Sequence, residues 1–307
     1  MISIRKHAGI YAAPIMPFGK DLEPDLPRYV AHCRRLLAAG CHGLMPLGST
    51  GESHSLTIEE RLSVMEALAA SGLDAGKMLL GASALAFPDV VTLVRAAAAM
   101  GAGGVCVQPP FYHKPLDDEA LYGFYGRVID TVGDASLRLY VYDWEPNIHV
   151  HHSLAFFARL FEAYPENAVG MKDSSGMADM LRERCAAFPD REIWVGADGM
   201  TLTGVRAGAV GTMSSMSNMV AQLIVELYDE ARQGRGESQQ ARVDQIRQAM
   251  SGAPWLPSLK AVVERQLDDP VFAAVRPPMR ALGPAEKADM LRSLDGIGEA
   301  PDHIAAE

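Results

Sequence analysis

One lysine stands at the end of a strongly apolar segment of this chain. In "AVGMKDSSG", residues 168 to 176, the apolar residues Val169 and Met171 precede Lys172, and Asp173 follows it. A neutral amine in such a place can attack a ketone to form a Schiff base, and burial among apolar groups favours the neutral form of an amine. The alternatives are a solvated ammonium or one that pairs with Asp173. Position alone leaves the three interpretations open.

Three further segments carry groups that suit the chemistry of an oxo acid. "GSTGES", residues 48 to 53, places glycines around Ser49 and Thr50, and its backbone amides and hydroxyls are suited to holding a carboxylate. Tyr112 in "PPFYHKP" and Tyr142 in "YVYDWEP" are phenols that can transfer a proton or position a hydroxyl. Each feature by itself also fits an ordinary role, since such turns cap helices and tyrosines pack in cores.

The segment after Tyr142, "DWEPNIHVHH", is rich in polar groups. Asp143 and Glu145 form a carboxylate pair that can act on substrate hydroxyls, although carboxylates in loops are usually solvated. His149 and His151 would point to one side of an extended segment, but no third ligand stands at a usable spacing. We therefore predict no metal site here.

Composition narrows the class of partner. The 307 residues are 49% hydrophobic and 21% charged, with a formal net charge of −10 and no stripe of lysine and arginine, which argues against a nucleic-acid binder. No uncharged apolar run reaches the roughly 18 residues of a membrane span. The cysteines lack C-x-x-C spacing, which favours reduced thiols. A cytoplasmic protein that acts on a small molecule is expected.

Short apolar runs alternate with longer amphipathic stretches, which is the pattern of parallel strands covered by helices. The runs are residues 9–15, 43–47, 77–82, 104–108, 137–142, 168–172, 192–196 and 208–213, and helices are predicted between them at 25–40, 57–72 and 87–103 among others. This repetition predicts an α/β fold, a (β/α)8 TIM barrel, whose chemistry lies at the carboxyl ends of the strands. A doubly wound sheet is the alternative, but no G-x-G-x-x-G follows the first strand.

The strand pattern stops near residue 217. We therefore expect a barrel with the active site in residues 1–217, a C-terminal helical region packed on the barrel in residues 218–297, and a tail in residues 298–307. No linker rich in Pro, Ser and Gly separates the first two parts.

Taken together, these segments resemble the pyruvate-dependent class I lyases, the family that includes dihydrodipicolinate synthase and N-acetylneuraminate lyase. The resemblance covers most of the chain. The shared features are "MPF" after strand one, "GSTGE" after strand two, "PPFYHKP" after strand four, a tyrosine ending strand five, "GMKDSSG" at strand six, "GAVGTMSSMSN" at strand eight and "RPP" near the C-terminus.

The resemblance implies a role for each residue that matches these motifs. Lys172 would carry the Schiff base with pyruvate or another 2-oxo acid, with Tyr142 as the proton-transfer residue beside it. Ser49 and Thr50 would bind the carboxylate of the oxo acid, and Ser49 would link Tyr142 to Tyr112, which in the family reaches into a neighbouring subunit.

The same resemblance implies further properties of the site and the assembly. Gly48 and Met213 would contribute to substrate binding. No cofactor beyond the covalent Schiff base on Lys172 is implied, and the implied assembly is a homotetramer built from two tight dimers.

One segment departs from the family pattern. In the synthase, strand five continues as Tyr-Asn-x-Pro and soon reaches an arginine that holds the carboxylate of the aldehyde. Here the text reads "YDWEPNIHVHH", one residue longer, with no arginine between Tyr142 and Arg159. A second carboxylate would lack its cation. Four residues of this segment are therefore candidates for specificity: Asp143, Trp144, Glu145 and His149.

The leading hypothesis is a Schiff-base lyase, an aldolase or dehydratase, that acts on pyruvate or a 2-oxo-3-deoxy acid. The alternative within the family is 4-hydroxy-tetrahydrodipicolinate (dihydrodipicolinate) synthase, which condenses pyruvate with aspartate semialdehyde. The alternative from another class is a non-catalytic sensor of a 2-oxo acid.

Overall fold

The computed structural model of the protein describes residues 6–297. Its strands are β1 (Gly9–Ala12), β2 (Gly43–Leu44), β3 (Leu79–Gly81), β4 (Gly104–Val107), β5 (Leu139–Asp143), β6 (Ala168–Asp173), β7 (Glu192–Val195) and β8 (Gly211–Ser214). They are parallel and neighbour one another in the order β2, β1, β8, β7, β6, β5, β4, β3. A bridge between Leu44 and Met78 joins the two ends of this order, so the sheet forms the predicted (β/α)8 TIM barrel.

Helices connect the strands and cover the outside of the barrel. They are α1 (Leu26–Ala38), α2 (Ile58–Ala70), α3 (Phe87–Ala99), α4 (Asp118–Val132), α5 (Glu145–Ile148), α6 (Leu154–Ala163), α7 (Ala178–Ala187) and α8 (Thr201–Ala207). Local sequence sets several of their ends, as at α2, where Thr57 and Glu60 form a capping box. In the part of the chain that the structure describes, no helix has the length and apolar character needed to cross a membrane.

Most strands are shorter than their apolar runs, and in two of the runs the backbone turns at a residue with positive φ. β2 ends at Leu44, and Leu47 adopts a left-handed conformation with φ 57°. β8 begins at Gly211 rather than at residue 208, since Gly208 has φ 105° and ends α8. Both turns lie within segments whose hydrophobicity continues unbroken, so composition alone does not reveal them.

Alternation along the strands separates two packed layers. One set of side chains faces the helices and forms the large core between the sheet and its cover. The other set fills the inside of the barrel, where Tyr11 packs edge-on against Trp194 with 4.8 Å between ring centroids. The interior set also includes Met45, Tyr142 and Met213. The barrel is thus a packed core with its open chemistry at the strand ends.

The C-terminal region consists of four helices: α9 (Ser217–Arg232), α10 (Glu237–Ala249), α11 (Trp255–Leu267) and α12 (Pro284–Asp295). The boundary expected at residue 217 falls on the first residue of α9. The region packs back on the barrel, with α9 lying against β1 and α11 against α9. The expected tail, residues 298–307, lies outside the described residues.

A buried lysine of α11 ties this region to the loop after β2. The Lys260 side chain is fully buried, and its Nζ donates to the Met16 carbonyl at 2.8 Å and to Glu52 Oε1 at 2.5 Å. Glu52 Oε2 in turn accepts from the backbone N–H of Arg276 at 3.1 Å. Glu52 itself has φ 54°, so the loop takes a conformation that these contacts must hold in place.

We expect Lys260→Met to destabilise the fold by about 3 to 5 kcal/mol, because it leaves the buried Glu52 carboxylate without its cation. Equilibrium urea unfolding measures the change. The matched control is Lys287→Met, which removes a partly exposed pair with Glu264 and should cost about 0 to 1 kcal/mol. Equal losses in the two variants would contradict the assignment.

Candidate active site

Lys172 lies inside the mouth of the barrel, beside Tyr142. The two residues are directly paired in the register of β5 and β6, and Lys172 Nζ lies 4.1 Å from the centroid of the Tyr142 ring. The amine also approaches Met45 Sδ at 3.4 Å, and only 5% of the residue is exposed. No carboxylate within residues 6–297 forms an ion pair with it. The solvated amine and the pairing with Asp173 are therefore both wrong for this structure.

Tyr142 connects the lysine to the loop after β2. Its hydroxyl lies 3.4 Å from Ser49 Oγ, which is longer than an ordinary hydrogen bond between two hydroxyls. On its other side the Tyr142 ring stacks on Trp144, with an interplanar angle of 5°. Lys172, Tyr142 and Ser49 thus form a continuous row of an amine, a phenol and an alcohol.

The loop after β2 is a tight turn with free backbone donors. Gly51 N–H donates to the Gly48 carbonyl at 3.0 Å, and Glu52 N–H donates to the Ser49 carbonyl at 3.1 Å. Between them, the N–H groups of Ser49 and Thr50 have no acceptor among the residues that the structure describes. Two neighbouring free amides beside a hydroxyl are suited to holding a carboxylate.

Close packing shapes this turn. A Cβ on Gly81 of β3 would lie 2.0 Å from the Leu47 carbonyl oxygen, so only glycine allows the end of β3 to approach the loop. A Cβ on Gly48 would lie 3.1 Å from Met45 Sδ, the same sulfur that contacts Lys172. Met45 is a neighbour of the amine that the sequence motifs did not reveal, and the part of Gly48 in substrate binding stays a prediction.

Met213 of β8 lies in the interior layer with Tyr142 and is buried. The Cys106 thiol lies 3.8 Å from Met213 Sδ. Burial raises the pKa of Cys106 to about 12, with the nearby Lys172 charge acting in the opposite direction, so the thiol is neutral at physiological pH. The surroundings of the amine are mainly thioether, thiol and aromatic groups.

Tyr112 is the one predicted catalytic residue that the single chain does not bring to the site. Its side chain is 73% exposed and contacts the ring of His113. It makes no hydrogen bond or ring contact with Lys172, Tyr142 or Ser49 within residues 6–297.

Asp143 does not face substrate, contrary to its prediction as a specificity residue. Its side chain is fully buried on the helix-facing side of the sheet, where one oxygen pairs with Arg184 Nη2 and the other lies 3.1 Å from His152 Nδ1. Arg184 of α7 also donates through Nη1 to Asp173 Oδ2 at 2.7 Å. Strand alternation is the physical reason: Tyr142 points into the barrel, so the next residue must point out. We call Asp143, His152, Asp173 and Arg184 the outer charge cluster.

The other members of the outer charge cluster shift the pKa of Asp143. Burial pushes the pKa of Asp143 upward, but the hydrogen bond and charge of His152 and the charge of Arg184 outweigh it, and the net pKa is lowered. Motif reading missed Arg184 because it lies in the middle of a helix. The sequence did contain one clue to this arginine. Asp143 and Asp173 directly follow Tyr142 and Lys172 on neighbouring strands, so strand alternation points both carboxylates to the outer side of the sheet. Two buried carboxylates there need a cation.

The other residues of the "DWEPNIHVHH" segment have different neighbours. Trp144 is half-buried and lies in the wall of a cleft of about 150 Å³ at the mouth of the barrel. Glu145 Oε2 pairs with His151 Nδ1 at 2.9 Å, and His149 is exposed. Among residues 6–297, no group of three or more His, Cys, Asp and Glu side chains is placed to hold a metal ion.

The comparisons with known proteins agree with this architecture. The sequence model of the Dihydrodipicolinate synthetase family matches residues 6–295, nearly all of the chain. The chain belongs to this family. Members of the dihydrodipicolinate synthetase and N-acetylneuraminate lyase family are class I lyases, and the chain is such an enzyme rather than a non-catalytic sensor.

Individual relatives leave the reaction open within that family. An uncharacterized DapA-like lyase of Halobacterium salinarum is 30% identical over 293 residues, covering 94% of each protein. The crystal structure of dihydrodipicolinate synthase from Agrobacterium tumefaciens superimposes with a TM-score of 0.88 at 26% identity, covering 95% of this chain and 100% of that one. A prophage protein of the same family from E. coli K12, solved in complex with pyruvate, has a TM-score of 0.87 at 24% identity and covers 96% and 99% of the two chains.

The outer charge cluster predicts a pH dependence of stability. Because the folded pKa of Asp143 is below its unfolded value, its contribution is complete above the unfolded pKa and is lost as the pH falls through the folded pKa. Asp143→Asn should therefore be less stable at neutral pH, by about 1 to 3 kcal/mol, and should lose less stability than the wild type below about pH 4.

Urea unfolding at several pH values tests this expectation. Asp179→Asn is the control, because it alters an exposed ion pair with Arg182 on the same helix as Arg184. It should leave the fall of the free energy of unfolding below about pH 4 unchanged. A curve for Asp143→Asn that runs parallel to the wild type would refute the assignment.

Proposed function

We propose that Lys172 forms a Schiff base with pyruvate or a related 2-oxo acid, and that the enzyme is an aldolase or a dehydratase of 2-oxo-3-deoxy acids. The observation that carries this proposal is the register pair of Lys172 with Tyr142, completed by Ser49. The amine is buried beside the Met45 thioether and the Tyr142 ring, and it forms no ion pair with a carboxylate among residues 6–297.

The chemistry follows from the row of the amine, the phenol and the alcohol. The Lys172 amine adds to the C2 carbonyl of pyruvate, and the carbonyl oxygen leaves as water, with Tyr142 delivering the proton that it needs. Loss of a proton from the methyl carbon turns the iminium into an enamine. In the aldol direction the enamine carbon then attacks an aldehyde carbon, and water releases the product and restores the amine. Tyr142 is the phenol closest to these proton transfers, and Ser49 is its hydrogen-bond partner.

The carboxylate of the oxo acid has a matching set of donors in the same proposal. The free N–H groups of Ser49 and Thr50 and their hydroxyls would hold it, with Gly48 allowing the close approach. Met213 and Met45 would line the apolar side of the methyl group. No cofactor is needed, because the iminium nitrogen itself withdraws the electrons.

We also propose an oligomeric state for the enzyme. Tyr112 and Leu85 are large apolar side chains that stand exposed, at 73% and 51%. Burial of such side chains against a second copy is consistent with the homotetramer of two tight dimers that the family resemblance implies, in which Tyr112 would reach into a neighbouring subunit's site.

Synthase activity on aspartate semialdehyde is disfavoured by the surroundings of the site. Of the described residues that line the cleft at the barrel mouth, none is a lysine or an arginine. Arg159, the first arginine after Tyr142, pairs with Glu119 and stacks over Tyr122 on the outer helices. A second substrate carboxylate would therefore find no direct cation in this cleft.

We expect borohydride reduction in the presence of pyruvate to attach one pyruvate to the wild-type chain, with loss of one water and gain of two hydrogens. Lys172→Ala should not form this adduct, because it lacks the attacking amine. Lys77→Ala, which removes an exposed lysine next to β3, is the control and should react fully. Intact-mass measurement reads all three samples, and an adduct on Lys172→Ala would exclude the proposal.

Tyr142→Phe should lower kcat by roughly 10²- to 10⁴-fold, because it removes a group that transfers protons in the chemical step. Pyruvate affinity, measured by the concentration dependence of borohydride trapping, should change by less than about 3-fold, since the ring and its packing remain. Tyr122→Phe, on the outside of the barrel, is the matched control. A wild-type kcat in Tyr142→Phe would remove Tyr142 from the mechanism.

A further inference from the structure

Gln108 presents an unused donor next to the proposed Schiff-base site. It is the first residue after β4, and only 2% of it is exposed. Its Oε1 lies 3.1 Å from His54 Nε2, and its backbone N–H donates to Ser83 Oγ at 2.8 Å. Its Nε2 has no hydrogen-bond partner among the described residues. A buried amide donor without a hydrogen-bond partner is unfavourable for the fold, so this group calls for an acceptor.

His54 sets the direction of this amide. An amide oxygen is only an acceptor, so the contact requires His54 Nε2 to carry a proton and to donate it to Gln108 Oε1. The His54 ring is itself held edge-on against Phe111, with 5.7 Å between centroids. With its oxygen engaged, Gln108 is left with its NH₂ group for another acceptor.

Gln108 lines a cleft of about 150 Å³, and its Nε2 is itself buried. This cleft is bounded by Ser49, which contacts Tyr142, and by Trp144, which stacks on Tyr142. His54 and Asn147 line it too. Lys172 and Tyr142 do not line the cleft themselves, so it adjoins the proposed Schiff-base site through Ser49 and Trp144.

Charge limits what the cleft can recognise. The one carboxylate among its lining residues is that of Glu52, which is already paired with Lys260. The nearby Lys114 ammonium is not part of the lining and donates to the Ile148 carbonyl at 2.9 Å. The rest of the lining consists of neutral amide, imidazole and hydroxyl groups set among apolar side chains, which are those of Phe111, Trp144, Ile148, Leu256 and Met279. This lining suits an uncharged molecule better than a carboxylate, and its few polar groups can bind hydroxyls.

We propose that Gln108, oriented by His54, is a specificity residue that donates its Nε2 hydrogen to a hydroxyl oxygen of the aldehyde partner, and that this partner is a short, uncharged hydroxyaldehyde. The proposal rests on the proposed function of Lys172. It assigns the substrate class on the aldehyde side, and it gives the unpaired amide a partner when substrate is bound.

The experiment removes each partner of the proposed hydrogen bond in turn, namely the hydroxyls of the aldehyde and the amide of Gln108. Aldol addition of pyruvate is followed with glyceraldehyde and with propanal, its analogue without hydroxyls, in the wild type and in Gln108→Leu. In the wild type, kcat/KM should be higher for glyceraldehyde. Gln108→Leu should lower kcat/KM for glyceraldehyde by roughly 5- to 100-fold and for propanal by less than about 3-fold, because only the first aldehyde uses the donor.

Gln108→Met, which keeps the length of the side chain, should show the same pattern if the leucine variant folds poorly. Gln248→Leu, an exposed glutamine of α10, is the control and should leave both aldehydes unchanged. Aspartate semialdehyde is assayed in parallel, and the wild type should turn it over more slowly than glyceraldehyde.

Three results would overturn the proposal: equal losses for the two aldehydes, no loss for either, or a wild-type preference for propanal or aspartate semialdehyde. Borohydride trapping of pyruvate separates this failure from failure of the proposed function. The trapped adduct should form in both Gln108 variants as in the wild type. If the adduct forms but the aldehyde pattern is absent, only the assignment of Gln108 is wrong.

Discussion

The pairing of β5 with β6 is the constraint on which the rest of the site depends. Tyr142 lies opposite Lys172, and Asp143 lies opposite Asp173 one position further on. Because successive residues of a strand face opposite sides, the first pair enters the barrel and the second enters the layer beneath the helices. The guanidinium of Arg184 bridges the two outer carboxylates. A slip of one strand by one residue would break this bridge and move the phenol away from the amine.

A second buried charge pair holds the other half of the site. Lys260 comes from a helix more than 200 residues after Glu52, yet its ammonium holds the Glu52 carboxylate and the Met16 carbonyl at once. Burying both charges costs solvation free energy, so the pair is weak evidence for added stability. Its physical effect is geometric, because it fixes the end of the turn that carries the free amides of Ser49 and Thr50. The C-terminal helices therefore take part in shaping the site.

These two charge pairs leave the mouth of the barrel with neutral groups. The carboxylates of Asp143 and Asp173 are directed outward to Arg184, and that of Glu52 is directed to Lys260. Lys172 is left among apolar and aromatic neighbours. The proposed Schiff-base chemistry would take place in these apolar and aromatic surroundings. The negative net charge of the chain thus has little bearing on the chemistry of the pocket.

The sequence by itself determined the barrel and the positions of its reactive groups. Eight apolar runs with helices between them have one common solution, and the motifs around Ser49, Tyr142 and Lys172 fall at strand ends whichever way the helices pack. The end of β2 and the start of β8 could not be predicted, because the positive φ angles of Leu47 and Gly208 lie within apolar runs and leave no trace in hydrophobicity.

Only the tertiary structure decided where each polar side chain points. The sequence suggested Asp143 as a substrate contact, but the side of the sheet on which it lies depends on the register with β6 and on a cation from α7. The partners of Glu52 and Gln108 likewise come from distant segments, namely α11 for Glu52 and the loop of His54 for Gln108. Hydrogen bonds and ion pairs between remote residues have no local signature. They exist only once the barrel has closed and the C-terminal helices have packed on it.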